Sequence, residues 1–226
     1  MTSYHLLGRD VEEVYADRVD RALAKVDNPL YMPDFIRARS SVNFGHRLWE
    51  MWWAVPSIRA TGRTAQGTPV VLYAHVPNFY SDAENVRAAI DDGRLVNGAG
   101  PLLPEEFTRL LSLEGNGVFV VDYDVSRKFV SQFIETDSAL EHPQTLPLLG
   151  VSQEEAEAYL KKYKLAYERP YGNRIGVLHG DDLGSEPIAR VLFIGDRGLL
   201  SGTGSLNYGA RILGVRRAAS TLQERV

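Results

Sequence analysis

The chain has 226 residues, 44% hydrophobic and 24% charged, and its 25 Lys and Arg against 29 Asp and Glu leave a net charge of −4. That composition fits a soluble globular protein with one substantial core. The absence of cysteine excludes disulfides, thiolate metal sites, Fe–S clusters and Cys nucleophiles; no apolar run is long enough to span a bilayer, and the charge balance argues against a broad nucleic-acid surface.

In chain order the sequence first predicts a helix. Asp10 and Glu13 have capping-box spacing, and Val11, Val14, Tyr15, Val19, Ala22, Leu23 and Val26 recur at helical period until Asn28-Pro29. Residues 1–53 therefore read as a helical N-terminal part of a single domain, 1–226. The opening residues turn acidic before an apolar signal segment forms, so a cytoplasmic location is expected. His46 to Trp53 holds all three tryptophans, with His46 and Glu50 spaced to meet on a helix. Ser57–Thr64 reads as a strand paired with Pro69–His75 through the turn Ala65-Gln66-Gly67.

Ser81 with Glu84 opens a helix closed by Gly93, and Pro104 opens another closed by Gly115. Gly117–Asp122 is an apolar strand. His142-Pro143 and Leu146-Pro147 belong to a proline-broken connector, after which Ser152 and Glu155 cap a helix carrying Ala156, Tyr159, Leu160, Tyr163 and Tyr167. Further strands are Arg174–His179, Ala189–Gly195 and Tyr208–Val215, and residues 216–226 lose periodicity as a frayed tail would. The connection Gly180–Pro187 is too short for a parallel crossover, so the last strands read as an antiparallel meander. The expected class is α+β: a mainly antiparallel, or mixed, sheet of five to six strands with helices packed on it.

Four apolar strands end in His75, Asp122, His179 and Asp196. Opposed strand directions prevent all four from meeting at one sheet edge. His179-Gly180-Asp181-Asp182 is the densest group of potential ligands, an imidazole and two carboxylates suited to Mg, Mn or Zn. Asp122 and Asp124 form a D-x-D that can hold a divalent cation against a phosphate, and His142 offers a proton-transfer group on a loop. Together they suggest a small-molecule enzyme performing carboxylate/His chemistry, in the manner of a divalent-metal-assisted hydrolase, with His142, His179 and Asp122 catalytic and Asp124, Asp181 and Asp182 on the metal.

The segment Val118-Phe-Val-Val-Asp122-Tyr-Asp124 resembles the first motif of the haloacid dehalogenase phosphatases, and VLFIGD196 is similar to that family's metal-binding segment. The resemblance implies a nucleophile at Asp122 and an acid/base at Asp124. It departs from the family at Arg169, where Lys is expected, in lacking an acidic residue after Asp196, and in the parallel sheet it requires. A D-x-D also occurs in nucleotide-sugar glycosyltransferases, whose N-terminal nucleotide fold has no counterpart here.

The alternative is a non-catalytic binding or assembly protein, with contacts through Trp49–Trp53 and the sheet edges and the polar residues serving as turns. Expected partners are a small-molecule substrate and a second copy of the chain, with neither membrane nor nucleic acid. Twenty arginines against five lysines are dispersed from Arg9 to Arg225 and read as compositional bias.

Overall fold

The computed structural model describes residues 3–128, 132–171, 173–179, 183–195, 200–202 and 204–216. The N-terminal region is stranded where a helix was expected. β1 (Ser3–Leu6) and β2 (Arg9–Ala16) form an antiparallel hairpin, and only Val19–Leu23 is helical (α1), followed by the short strand β3 (Val26–Asp27). Asp10 caps nothing; it pairs with His5 at 2.8 Å. The reason lies far along the chain. β2 pairs with β12 (Ala210–Arg216), with Ala16 opposite Ala210 and Val14 opposite Ile212. That ladder fixes a period of two, which also fits the spacing of Val14 and Ala16, and tertiary pairing overrides a weak local helical preference.

α2 (Met32–Ser41) and α3 (Arg47–Glu50) lead into β4 (Trp53–Arg63), a strand buried on both faces up to Gly62. Its register against β10 (Ile188–Ile194) slips between Ile58 and Val55. The slip accommodates Pro56, which has no N–H for a ladder and is tolerated in a central strand only at a bulge. The Pro56 carbonyl accepts a hydrogen bond from Asn78 and the Ser57 hydroxyl one from the Met32 backbone N–H, so the bulge is anchored on both sides. β5 (Pro69–Ala74) returns antiparallel through the expected turn.

α4 (Ala83–Asp91) starts one residue later than expected. Asp82 caps it, while Ser81 belongs to a capping box with Asn78 on the short 3-10 turn before it. β6 (Gly100–Pro101), α5 (Pro104–Leu111) and β7 (Val118–Asp122) follow, and α5 packs so closely on β4 that a Cβ at Gly62 would lie 2.7 Å from the Phe107 ring. α6 (Tyr123–Lys128), β8 (Gln132–Glu135), a 3-10 segment (Thr136–Glu141) and α7 (Thr145–Leu149) lead to α8 (Gln153–Tyr171). α8 has the expected Ser152–Glu155 capping box.

β9 (Arg174–His179) and β10 run in opposite directions, as the short connection requires, but they are not neighbours. β11 (Leu200–Gly202) lies between them, parallel to β9 and antiparallel to β10, and β12 leaves for the other sheet. The fold is α+β. An eight-stranded sheet runs β7-β5-β4-β10-β11-β9-β8 with β6 on β10, and a four-stranded sheet runs β1-β2-β12-β3.

Two hydrophobic cores lie on opposite faces of β4, β5 and β10. One holds Trp49, Trp53, Tyr73, Leu192 and the apolar side of α8; the other holds Ile58, Leu72, Val191 and the buried sides of α1, α4 and α5. In the first, the fully buried Arg39 guanidinium donates to the Tyr159 hydroxyl (3.1 Å) and to the carbonyls of Trp49 (3.1 Å) and Gly195 (2.9 Å). It lies 4.6 Å over the Trp49 ring, which stacks on Tyr159 at 5.7 Å. Replacing Arg39 with Met strands these acceptors in a dry core; urea unfolding should show a loss of about 3–5 kcal/mol. A loss within about 0.5 kcal/mol of zero, the range of an ordinary surface substitution, would contradict this placement.

Candidate functional site

Of the residues offered by the sequence for catalysis, Asp122 and His142 each accept a hydrogen bond from a nearby backbone N–H. Asp122 is exposed, and its carboxylate accepts from the Val125 N–H at 2.9 Å, capping α6; Asp124 is exposed in the first turn of that helix. His142 is buried, and its Nδ1 accepts from the Gln144 N–H at 3.2 Å. It is built into the turn that opens α7. His179 ends β9, while Asp181, Asp182 and Asp196 lie outside the described residues. Among the described residues no group of three His, Asp or Glu could hold a metal, and no helix is long and apolar enough to cross a membrane.

The segment around His142 is fastened to the sheet by a buried polar chain. The Tyr73 hydroxyl donates to Gln144 Oε1, and Gln144 Nε2 donates to the Ser126 hydroxyl. Burial pushes the Tyr73 phenol up, an effect opposed by Arg59 beside it. His75, the residue after β5, donates from Nε2 to the Pro147 carbonyl at 2.8 Å, which leaves its buried Nδ1 without a partner. Gly150, at φ +67°, closes over this ring, and a Cβ there would lie 2.4 Å from it. Only glycine combines that conformation with that approach.

A second polar centre lies on the β2–β12 ribbon and was not legible as a site. Glu13, nearly buried, accepts from the Tyr4 hydroxyl (2.9 Å), from Arg47 Nε and Nη2 (2.6 and 2.9 Å), and from Arg211. Burial alone would raise this carboxyl, but the hydrogen bonds from Arg47 and Tyr4 and the charge of Arg211 outweigh it and hold the pKa low. Arg211 also lies over the Tyr15 ring at 5.1 Å and 6.0 Å from Trp53. Tyr15 is 61% exposed; along the chain Trp52 precedes Trp53 and Tyr208 precedes Gly209, and both rings are exposed. His46 does not pair with Glu50 by hydrogen bond; its Nδ1 caps α3 at Leu48 and its ring packs 5.1 Å from Tyr4. The usable signal was Tyr15 and Arg211 as large side chains at strand positions, and the helical reading of Asp10–Val26 concealed it. Of the tryptophans, Trp49 and Trp53 are buried and only Trp52 offers a surface.

No family model matches the chain, and no curated protein matches it. It is similar to a solved structure from work on the accommodation of massive sequence variation in Nanoarchaeota by the C-type lectin fold. The two are 43% identical over 93% of this chain and all of that one, with a TM-score of 0.85. The chain belongs to the C-type lectin fold family. Membership corrects the hydrolase expectation, since the C-type lectin fold points to a binding protein.

His75 makes the C-type lectin fold core sensitive to acid. Burial holds its pKa down to about 4, only partly offset by the Pro147 carbonyl. An unfolded histidine titrates near 6.5, so between about pH 6.5 and 4 the unfolded chain binds more protons. The stability contributed by neutral His75 is full above pH 6.5 and falls by about 3 kcal/mol as pH drops toward 4. Urea titrations from pH 7.5 to 4.5 should show this slope in the parent and a flatter one in His75→Gln. Equal slopes would assign the loss to other groups.

Proposed function

We propose that this chain is a non-catalytic binding protein that presents an aromatic and arginine-bearing surface on its C-type lectin scaffold. The observation that carries the reading is the 43% identity, over nearly the whole chain, to a protein in which this fold accommodates massive sequence variation. Catalysis requires a few side chains held within fractions of an ångström, whereas recognition needs a rigid frame whose exposed positions can change. The frame here is fixed by buried groups such as Arg39, Gln144 and His75. The exposed groups are of the types that dominate binding hot spots: Tyr15, Trp52 and Tyr208, with Arg47, partly exposed, paired with Glu13. Tyr and Trp bring large contact areas at small entropic cost, which suits a surface whose ligand is set by sequence.

A display library with Tyr15, Trp52 and Tyr208 randomised tests this directly. Most members should stay folded, with melting temperatures within about 4 °C of the parent, as exposed substitutions do. Selection against unrelated target proteins should yield binders of micromolar affinity or better that compete with one another. A library that mostly fails to fold, or one from which no target selects a binder, would overturn the reading.

A further inference from the structure

α8 carries its charges in two blocks. Glu154, Glu155 and Glu157 fill its first turns, and Lys161, Lys162 and Lys164 follow. Two of these are used inside the molecule, Glu155 by Arg37 and Lys162 by the Ser40 carbonyl. The outer face of the helix reads Glu154, Glu157, Ala158, Lys161 and Leu165, all exposed and spaced at helical intervals. Among the described residues neither Glu154 nor Lys161 is held in an ion pair. Leu165, at 65%, is the most exposed large apolar side chain among those described. Beside it a groove of about 440 Å³ runs between α8 and the 3-10 segment Thr136–Glu141. Leu140 and Leu160 line it and pack on the first core beneath, and the Lys164–Asp137 ion pair at 2.6 Å ties one wall to the other. A protruding leucine beside an apolar groove, with charges around both, has the composition of a protein contact.

The order of the charges selects the partner. A two-fold interface brings one surface against its own copy after a half-turn. Two α8 helices related in this way run antiparallel, so the acidic half of each meets the basic half of the other. With the axis at the level of Tyr159, Glu157 stands opposite the second copy's Lys161, and Glu154 opposite its Lys164. Ala158, the smallest side chain on the face, lies at the crossing, where the helices come closest. Helical side chains lean toward the N-terminus, so Leu165 covers the turn before its own Cα. That places it over the groove beside Leu160 of the second copy. Parallel pairing would instead set carboxylate against carboxylate and ammonium against ammonium.

We infer that α8 is a homodimer contact: two copies of this chain pair antiparallel along this helix, each Leu165 seated in the other's groove. The contact shares no residue with the surface of Tyr15, Trp52 and Tyr208, so it stands whatever that surface binds, and the dimer presents two such surfaces. One helix and one groove make a contact at the small end of stable interfaces, with an expected dissociation constant of about 1–100 μM.

The test is sedimentation velocity of the full chain from about 1 to about 300 μM, a range that brackets that constant. The mass should rise from one chain to two, and the dissociation constant should increase several-fold as sodium chloride goes from about 0.05 to about 0.5 M. Leu165→Gln and Lys161→Glu should each weaken the dimer by about tenfold or more. Glu157→Lys combined with Lys161→Glu should restore it, because the swap returns opposite charges to facing positions. These three positions are exposed, so the variants keep the fold. The chain has no cysteine, so Ala158→Cys reports the crossing alone: a mild oxidant should link two copies through it, while Thr108→Cys, exposed on α5, stays unlinked. A chain that stays monomeric across the range, or a dimer that survives both Leu165→Gln and Lys161→Glu and does not link through Ala158→Cys, would overturn the inference.

Discussion

One guanidinium holds the first core together. Arg39 comes from α2 and reaches the Trp49 carbonyl in α3, the phenol of Tyr159 on α8 and the backbone just beyond β10. No apolar side chain could satisfy three acceptors on three separate segments, and a lysine lacks the planar fork that spans them. The Trp49 ring, itself stacked on Tyr159, covers its face, so hydrogen-bond acceptors and a π-system replace water around the cation. Two further links, Arg37 to Glu155 and Lys162 to the Ser40 carbonyl, hold α2 against α8 at its surface. The position of α8, and with it the wall of the core that faces β9 and β10, depends on this arrangement.

The same economy extends across the sheet. Polar residues that could serve chemistry are spent on joining elements: Gln144 bridges β5 and α6, His75 ties β5 to α7, and Glu13 gathers β1, α3 and β12 onto β2. Each is an interior contact with defined partners, which is how a core with many polar atoms specifies one arrangement. Large aromatic rings, Tyr15, Trp52 and Tyr208 among them, are left exposed. Such internal wiring gives this member of the C-type lectin fold family a frame held by polar as well as apolar contacts.

Much of the architecture was legible where local signals and tertiary context agree. The capped helices α4, α5 and α8 and the apolar strands β5, β7, β9 and β10 lie within a residue or two of their expected bounds, apart from the C-terminal end of α8, which runs to Tyr171. β2 was misread because Val11, Val14 and Tyr15 satisfy a helical period while Val14 and Ala16 also fit an alternating one, and the strand that decides between them is nearly two hundred residues away. β11 is three residues of Leu, Ser and Gly with no periodicity to detect. The arginines were the larger loss. Read as composition, Arg39, Arg59 and Arg190 are unremarkable; read as charges alternating with apolar residues inside strands, Arg59 and Arg190 already announce buried guanidinium groups. At the D-x-D, Asp122 accepts the Val125 N–H at the start of α6, a role that a carboxylate between an apolar strand and a helix fills as readily as it binds a metal.

Native-state hydrogen exchange of the unaltered protein, followed residue by residue in increasing urea, tests most directly whether Arg39 makes these elements a single cooperative unit. If it does, the slowest amides of α2, α8 and β10 will exchange with one common free energy, equal to that of global unfolding. Exchange of α8 through a smaller opening, with α2 and β10 still protected, would contradict the account.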